Sequence, residues 1–198
     1  IAEQYELHIH IAERPGKFLS PSSTILQVFA PQPLDDDAKT ELHQKLTSVI
    51  TIDKTRSYNQ DPRFGLLVMS EVGQRAMSAA VNDPATAIAV LNSITHILVD
   101  TKPAEDLPQQ HFDRVSIAPL DEKDMIESVF APIARDSVSN LEINQRLIKS
   151  LAIIYHHVPE HCLREAALAQ AQELIERCLH HFEFETDRKR LKETFETN

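Results

Sequence analysis

The chain has 198 residues, of which 42% are hydrophobic and 25% are charged, with three glycines and a formal net charge of −10. Its length is sufficient for a buried core, and scarce glycine with 6% aromatic residues favours a mostly helical protein over an all-β one. The negative charge argues against a nucleic-acid-binding protein, which needs a basic face, and against electrostatic docking on anionic lipid.

The chain contains no run of about eighteen apolar residues and no secretory signal peptide, so we expect no membrane-spanning helix within it. It begins at Ile1 rather than at methionine, which suggests a fragment of a longer protein. Cys162 and Cys178 lie sixteen residues apart in a predicted helix, and a separation of about 24 Å at helical rise excludes a disulfide. A reducing compartment is therefore expected.

The first thirty residues predict a small β module. Tyr5–Ala12 alternates between apolar and polar side chains, as a half-buried strand does. Arg-Pro-Gly-Lys at residues 14–17 predicts a type II turn, because Pro presets φ and Gly16 supplies a positive φ. A second turn at Ser20–Ser23 leads into a strand at Thr24–Phe29. The layout is similar to half of a biotinyl/lipoyl-type hammerhead, but the carrier lysine is absent, so no swinging arm is expected.

A stiff Pro31-Gln32-Pro33 connector precedes a helix that should start near the three aspartates at 35–37. Leu42, Leu46 and Val49 give this helix an apolar stripe. The following segment, Ser48–Thr55, could either continue the helix or form a short strand.

Two Asp-Pro pairs specify the central helix pair. Asp61 and Asp83 can each cap a helix, and the proline that follows loses no hydrogen bond at the first helical position. The predicted helices run from about residue 62 to 79 and from about 84 to 99, and the short link between them favours an antiparallel arrangement. Gly65 and Gly73 lie in the first helix, where we expect each to allow another backbone to approach closely.

Apolar periodicity predicts the remaining elements. Pro132 falls inside an otherwise helical pattern and predicts a kink or break there. The other predicted elements are a loop at Thr101–Gln110, a short strand within Phe112–Ala118, helices at Leu141–Val158 and Glu160–His181, and a charged terminal helix or frayed tail at Asp187–Phe195. The predicted fold is α+β, with a small N-terminal β module of hammerhead-like strands (residues 1–33) packed on a predominantly helical bundle (residues 34–198).

Three segments together resemble one family: RPGKF at 14–18, QDPRFGL with SEVGQRAMS at 60–66 and 70–78, and VNDPATA at 81–87. They look like the soluble region of the predicted bacterial multi-pass membrane proteins grouped as domain of unknown function 2254. The resemblance implies an N-terminal membrane region of several helices, with this part of the chain in the cytoplasm at the inner membrane. It implies no activity and no catalytic residues. Lys17 stands where the family has an acid, so no role for an acid carries over to that turn.

Polar side chains gather at the two ends of the first central helix. A guanidinium can bind a carboxylate or a phosphate with two parallel hydrogen bonds, so the arginines could hold a small anionic ligand. The candidate ligand-binding residues are Arg56, Asp61, Arg63, Glu71, Arg75, Asn82 and Asp83.

The alternative interpretation of these residues is structural. The two aspartates would cap helices, Glu71 and Arg75 would pair along one helix face, and Arg75 would hold the turn at Asn82-Asp83. If the aspartates only cap, asparagine at either position should preserve stability, because asparagine caps nearly as well without a charge.

The histidines and cysteines near two helix junctions raise the question of a metal site. Zinc needs three or four converging ligands, and Pro159 interrupts the spacing between His157 and His161, so we expect no metal site and no cofactor. The residues considered are His156, His157, His161, Cys162, Cys178, His180 and His181; His8 and His10 should face solvent on the first strand.

The sequence favours a non-catalytic region with a role in assembly or in sensing a cytosolic signal. The expected partners are the protein's own transmembrane region and further copies of the chain. The competing hypothesis is an enzyme or ligand-binding domain that uses the Arg/Asp/Glu cluster on an anionic small molecule. An open pocket at that cluster would favour the second hypothesis, and internally bonded side chains would favour the first.

Overall fold

The computed structural model describes residues 1–100, 112–159 and 161–198. Its elements are the strands β1 (His8–Ile11), β2 (Leu26–Phe29) and β3 (Val115–Ile117), and the helices α1 (Asp36–Ser48), α2 (Pro62–Met77), α3 (Pro84–Asp100), α4 (Glu122–Asp136), α5 (Leu141–His157), α6 (His161–His181) and α7 (Glu185–Thr197). This is the α+β fold that the sequence predicts. The predicted loop at Thr101–Gln110 and the predicted helix start at Glu160 lie outside the described residues.

Contacts divide the chain into two compact units. The N-terminal unit contains residues 1–64 and the described part of 109–120, and the helical unit contains the described parts of 65–108 and 121–198. The domain boundary after Pro33 stays a prediction.

The N-terminal unit is built on a three-stranded sheet in the order β2-β1-β3. β1 pairs antiparallel with β2, where Ile9 lies opposite Val28, and parallel with β3, where His10 lies opposite Ser116. The predicted alternation is confirmed, because Leu7 and Ile9 are buried and pack in one cluster with Leu42 of α1. The sheet and α1 therefore share an apolar core.

The first strand differs from its prediction in two respects. It begins at His8 rather than at Tyr5, because Glu6 has a φ of 51° and leaves the extended conformation. His8 is exposed but His10 is half-buried, and both rings contact the Ser116 hydroxyl, at 3.1 Å and 2.9 Å. The prediction that both histidines face solvent is therefore wrong for His10.

The end of α1 also differs from expectation. Val49 caps the helix and is 68% exposed, so the predicted apolar stripe ends at Leu46. Residues 50–55 form neither a continued helix nor a strand. Asp35 accepts a hydrogen bond from the Ala38 amide at 2.7 Å, which confirms the acidic start of this helix.

The helical unit has its core where α3, α4, α5 and α6 meet. α5 contributes a continuous buried face, and Asn144 within it donates to the backbone carbonyls of Ser137, Val138 and Asn140. These bonds satisfy the donor side of the buried amide and fix the α4–α5 turn, whereas its Oδ1 has no hydrogen-bond partner among the described residues. The largest fully buried side chains here are Leu91, Ile94, Ile126, Phe130, Ile133, Ile143, Leu147, Ile148, Leu151, Ile154 and Leu174.

Pro132 does not break its helix, so the predicted break is wrong, while the alternative of a kink stays a prediction. α4 continues from Glu122 to Asp136 with the proline inside it. The proline removes one backbone donor, but Val129, Phe130 and Ile133 around it are buried and hold the helix in place through packing.

The predicted close packing at Gly73 is confirmed, with a side chain rather than a backbone as its neighbour. A Cβ at Gly73 would lie 2.9 Å from Ile133 Cδ1 and 3.4 Å from Val90 Cγ1. Ser70, one turn earlier, donates to the Val129 carbonyl at 2.7 Å. At Gly65 the prediction is wrong, because a Cβ there would meet no described atom within 4 Å.

Gly73→Leu should overpack the contact of α2 with Ile133 and Val90 and lower the free energy of unfolding by about 1–3 kcal/mol. Denaturant unfolding of the variant measures this loss. Gly65→Leu is the matched control, because it places the same side chain on the same helix in open space. A Gly73→Leu protein as stable as the Gly65→Leu protein would contradict the close packing at Gly73.

The two cysteines lie on one continuous helix, α6, and both are free. Cys162 is exposed, whereas burial raises the pKa of the Cys178 thiol to about 11, against a smaller lowering effect of Arg177. Of the helices that the structure describes, none is long and apolar enough to cross a membrane.

The different environments of Cys162 and Cys178 predict different thiol reactivities. At pH 8, Ellman's reagent should react with Cys162, whereas Cys178 should react roughly a hundredfold more slowly, because burial suppresses its reactive thiolate. Denaturation in urea should expose both thiols equally. Two fast thiols in the folded protein would contradict the burial of Cys178.

Candidate functional site

Asp61 is the most buried charged residue among the candidates, with only 4% of its surface exposed. Its Oδ2 accepts two hydrogen bonds from the Arg56 guanidinium, one from Nε at 2.8 Å and a short one from Nη2. Its Oδ1 accepts from the Arg63 backbone amide at 3.2 Å and so caps α2. Both oxygens are therefore used inside the fold, and the predicted cap is confirmed.

The RPGKF turn lies directly against this ion pair. Gly16 has a φ of +87°, and the Lys17 amide donates to the Arg14 carbonyl at 3.2 Å, which confirms the type II turn. A Cβ on Gly16 would lie 1.8 Å from Asp61 Oδ2 and 3.1 Å from Arg56 Nε. Only glycine therefore allows the turn to approach the carboxylate so closely.

Aromatic rings cover another side of the Arg56 guanidinium. It lies 4.9 Å from the centroid of the Phe64 ring, which in turn stacks on Tyr58 at 4.6 Å. Cation–π contact stabilises a partly desolvated guanidinium. The turn, the Arg56–Asp61 pair and these rings form one packed cluster in the N-terminal unit, here called the turn cluster: Gly16, Arg56, Tyr58, Asp61 and Phe64.

In the helical unit, Asp83 caps α3. Its Oδ1 accepts from the Thr86 amide at 3.1 Å and its Oδ2 from the Thr86 hydroxyl at 2.5 Å. These hydrogen bonds, the hydroxyl foremost, hold the pKa of the Asp83 carboxyl below its ordinary value of 3.8. The second predicted cap is confirmed.

The turn before Asp83 is held by the backbone. Asn82 has a φ of 47°, a conformation that asparagine adopts more readily than most residues. The Asn82 amide donates to the Ser78 carbonyl at 2.9 Å and the Asp83 amide to the Ala76 carbonyl at 2.7 Å. The prediction that the Arg75 side chain holds this turn is therefore wrong.

Glu71 and Arg75 are both exposed on α2, and in the part of the chain that the structure describes no ion pair joins them. The predicted pair along the helix is therefore not formed. Of the candidates, the N-terminal unit brings together Arg56, Asp61 and the Arg63 backbone, and the helical unit brings Asn82 and Asp83 into one turn. Whether any of the seven binds a ligand stays a prediction.

No group of three or more metal-ligating side chains converges among the described residues. His156 contacts the Asn198 carbonyl at 2.8 Å, His180 the Glu176 carbonyl at 2.9 Å, and His161 pairs with Glu165 at 3.6 Å. Each of these rings is therefore engaged by a separate group.

Asp83→Ala should lower the melting temperature by a few degrees at pH 7, and Asp83→Asn should retain most of the stability, because asparagine still caps. The sign of the pH effect follows from the lowered pKa. The extra stability that aspartate gives over asparagine at position 83 is fully present above pH 3.8 and is lost as the pH falls through the lower folded-state pKa. Thermal unfolding from pH 2 to 7 tests this. A difference in melting temperature between the parent protein and Asp83→Asn that stays constant across that range would contradict it.

A family model, DUF2254, described as a predicted membrane protein, matches residues 1–153. The chain belongs to the DUF2254 family. The DUF2254 match covers β1 to β3, α1 to α4 and most of α5, so it includes the turn cluster and both helix caps. No curated protein and no solved structure matches the chain.

Sequence reasoning did not place Gly16 beside Asp61. The two residues are forty-five positions apart, and nothing in the local pattern of either segment indicates the contact. The one available signal is that both segments carry the motifs on which the resemblance to DUF2254 rests.

Proposed function

We propose that this DUF2254 region is a non-catalytic part of a membrane protein, lying on the cytoplasmic side of the inner membrane. Its task is assembly with further copies of the chain or sensing of a cytosolic signal for the membrane part. Membership of a family described as a predicted membrane protein supports this, together with the state of the candidate cluster.

The observation that carries the non-catalytic proposal is the Arg56–Asp61 pair, in which the carboxylate is buried and the arginine side chain is 34% exposed. A general base needs a free lone pair that can reach a substrate proton, and an anion site needs a free guanidinium. Asp61 uses both oxygens, and Arg56 is bonded to Asp61 and stacked on Phe64. Removing Arg56 would leave the buried Asp61 carboxylate without its cation, so we assign the pair to the scaffold.

The side of the membrane is testable with a native reporter, Cys162, because it is exposed while Cys178 is buried. In intact cells that express the full-length protein, a membrane-impermeant maleimide should not label Cys162. In inverted membrane vesicles it should label Cys162 rapidly. Cys162→Ser is the control that identifies the labelled site, and labelling in intact cells would place this region outside the cytoplasm.

Assembly is testable on the purified full-length protein in detergent. Light scattering coupled to size-exclusion chromatography should give the protein mass of more than one chain. A monomer at all concentrations would contradict the assembly proposal and leave sensing as the proposed task.

The competing function is the binding of a small anion, and one observation favours it. Arg75 is exposed and belongs to no ion pair in the described part of the chain, so its guanidinium is available. Thermal shift with phosphate and citrate tests this. A ligand-dependent rise in melting temperature that Arg75→Gln abolishes, and that the control Arg190→Gln preserves, would favour the competing function.

A further inference from the structure

The outer edge of β2 is open in the N-terminal unit. The sheet has the order β2-β1-β3, so no strand among the described residues pairs with the outer side of β2. Val28 is 37% exposed and Phe29 is 55% exposed. Val28 also borders a groove of about 550 Å³, whose lining includes Leu42 and Leu46 of α1. The space beside this edge is therefore not filled by α1.

The hydrogen bonds of the sheet determine which residues of β2 face outwards. The Ala12 amide donates to the Ile25 carbonyl at 2.9 Å, which makes these two residues a bonded pair of the β1–β2 ladder. Bonded and non-bonded pairs alternate along an antiparallel ladder, so the backbone of Gln27 bonds to β1 and the backbones of Leu26 and Val28 do not. Leu26 and Val28 therefore each present an N–H donor and a C=O acceptor outwards.

The same edge lies in the longest uncharged stretch of the chain. Residues 18–34, FLSPSSTILQVFAPQPL, contain no acidic or basic side chain, although 25% of the chain is charged and its formal net charge is −10. Most of these residues are exposed. Proteins usually protect an open edge with charged side chains, which hinder pairing with another chain. That protection is missing from β2, and two acidic copies can meet along this stretch without bringing like charges together.

We propose that the outer edge of β2 pairs with the same edge of a second copy, antiparallel and about a two-fold axis at Gln27. A two-fold interface uses one patch on both copies, as this edge requires. Leu26 of each copy then lies opposite Val28 of the other, and each such pair exchanges two backbone hydrogen bonds. The interface names the surface for assembly with further copies and rests on that part of the proposed function.

The side chains match in this register on both faces of the sheet. Leu26 packs on the core beside α1, and Val28 lies on the same face, so the two form an apolar cross-strand pair. On the other face, the Gln27 amides of the two copies lie side by side. Phe29 lies opposite Ile25, an aromatic and β-branched pair that stabilises sheets. An edge that matches itself at every position favours a second copy over a foreign peptide.

Disulfide trapping tests the axis in membranes isolated from cells that express the full-length protein with Cys162→Ser. Gln27→Cys should crosslink two copies on mild oxidation, because the Cα atoms of a directly opposed non-bonded pair lie about 4.5 Å apart. Val28→Cys is the matched control on the same exposed strand. Its two Cα atoms would lie about 8 Å apart, beyond the reach of a disulfide, so its crosslinked fraction should be about fivefold lower.

Val28→Pro tests whether backbone hydrogen bonds hold the two copies together. Proline removes the outward N–H of Val28, which β1 does not use, and edge strands tolerate proline at such positions. Added to Gln27→Cys, it should lower the crosslinked fraction about fivefold. Circular dichroism and thermal unfolding of the full-length variant in detergent establish that it is folded. If it is not, the comparison of Gln27→Cys with Val28→Cys decides.

The mass from light scattering separates failure of this interface from failure of assembly. If Gln27→Cys gives no crosslink while the full-length protein still contains more than one chain, the copies assemble through another surface and the β2 interface is wrong. A monomer would overturn both proposals. Equal trapping at Gln27→Cys and Val28→Cys would overturn the two-fold register, and a crosslink from Gln27→Cys to a different protein would overturn the second copy as the partner.

Discussion

Gly16→Val should lower the free energy of unfolding of the N-terminal unit by about 3–5 kcal/mol. Two effects combine in this variant. A β-branched side chain is strained at a φ of +87°, and its Cβ would occupy space 1.8 Å from Asp61 Oδ2. The Asp61 carboxylate must therefore move and release Arg56, while the carboxylate itself stays largely buried. Denaturant unfolding followed by circular dichroism measures the loss.

Two variants separate the contact from the turn conformation. Lys17→Ala should be nearly neutral, because Lys17 is exposed in the same turn. Gly16→Ala should lose most of the stability that Gly16→Val loses, because alanine already carries the clashing Cβ. If Gly16→Ala is as stable as the parent protein, the close approach of the turn to Asp61 is wrong.

Asp61→Ala should lower the free energy of unfolding by about 1–2 kcal/mol, because it removes a helix cap and the ion pair with Arg56, whose side chain is 34% exposed and would be solvated. Asp61→Asn should also be destabilising, since it keeps the cap but loses the charge. The sequence alone predicts that asparagine preserves stability at both aspartates. The structure changes this expectation for Asp61. Asparagine should be nearly silent only at Asp83, which has no arginine partner among the residues that the structure describes.

A double-mutant cycle with Arg56→Ala measures the coupling. The double variant Arg56→Ala/Asp61→Ala should lose less stability than the sum of the two single variants, because the second substitution removes a charge already without its partner. Additive losses would mean that Arg56 and Asp61 contribute independently, and would remove the basis for assigning them to the scaffold.

Local chemistry made much of the fold readable from the sequence. The two Asp-Pro starts, the type II turn at Gly16 and the helical periodicity of α5 each depend on residues within one turn or one helix of each other. Such signals involve short sequence separations, so one chain contains all the information they need. The predicted strand within residues 112–118 likewise follows from its local composition.

Contacts between distant segments could not be predicted in this way. The parallel pairing of β3 with β1, the approach of Gly16 to Asp61 and the bond between His10 and Ser116 join residues far apart in the chain. Pro132 shows a second limit, because tertiary packing keeps a helix intact where the local rule predicts a break. The open outer edge of β2 becomes visible only once the strand order is known.

The parallel pairing of β1 with β3 has a consequence for how the chain folds. Ile9 lies opposite Val115, so 106 positions separate residues that are neighbours in one sheet. Closing so large a loop has an entropic cost and tends to slow folding. During synthesis, β1 and β2 emerge before β3, and the β1 edge stays without β3 until α1, α2 and α3 have been made. A ribosome-bound chain that stops at residue 100 would therefore present an unpaired β1 edge, where a chaperone or a second nascent chain could bind.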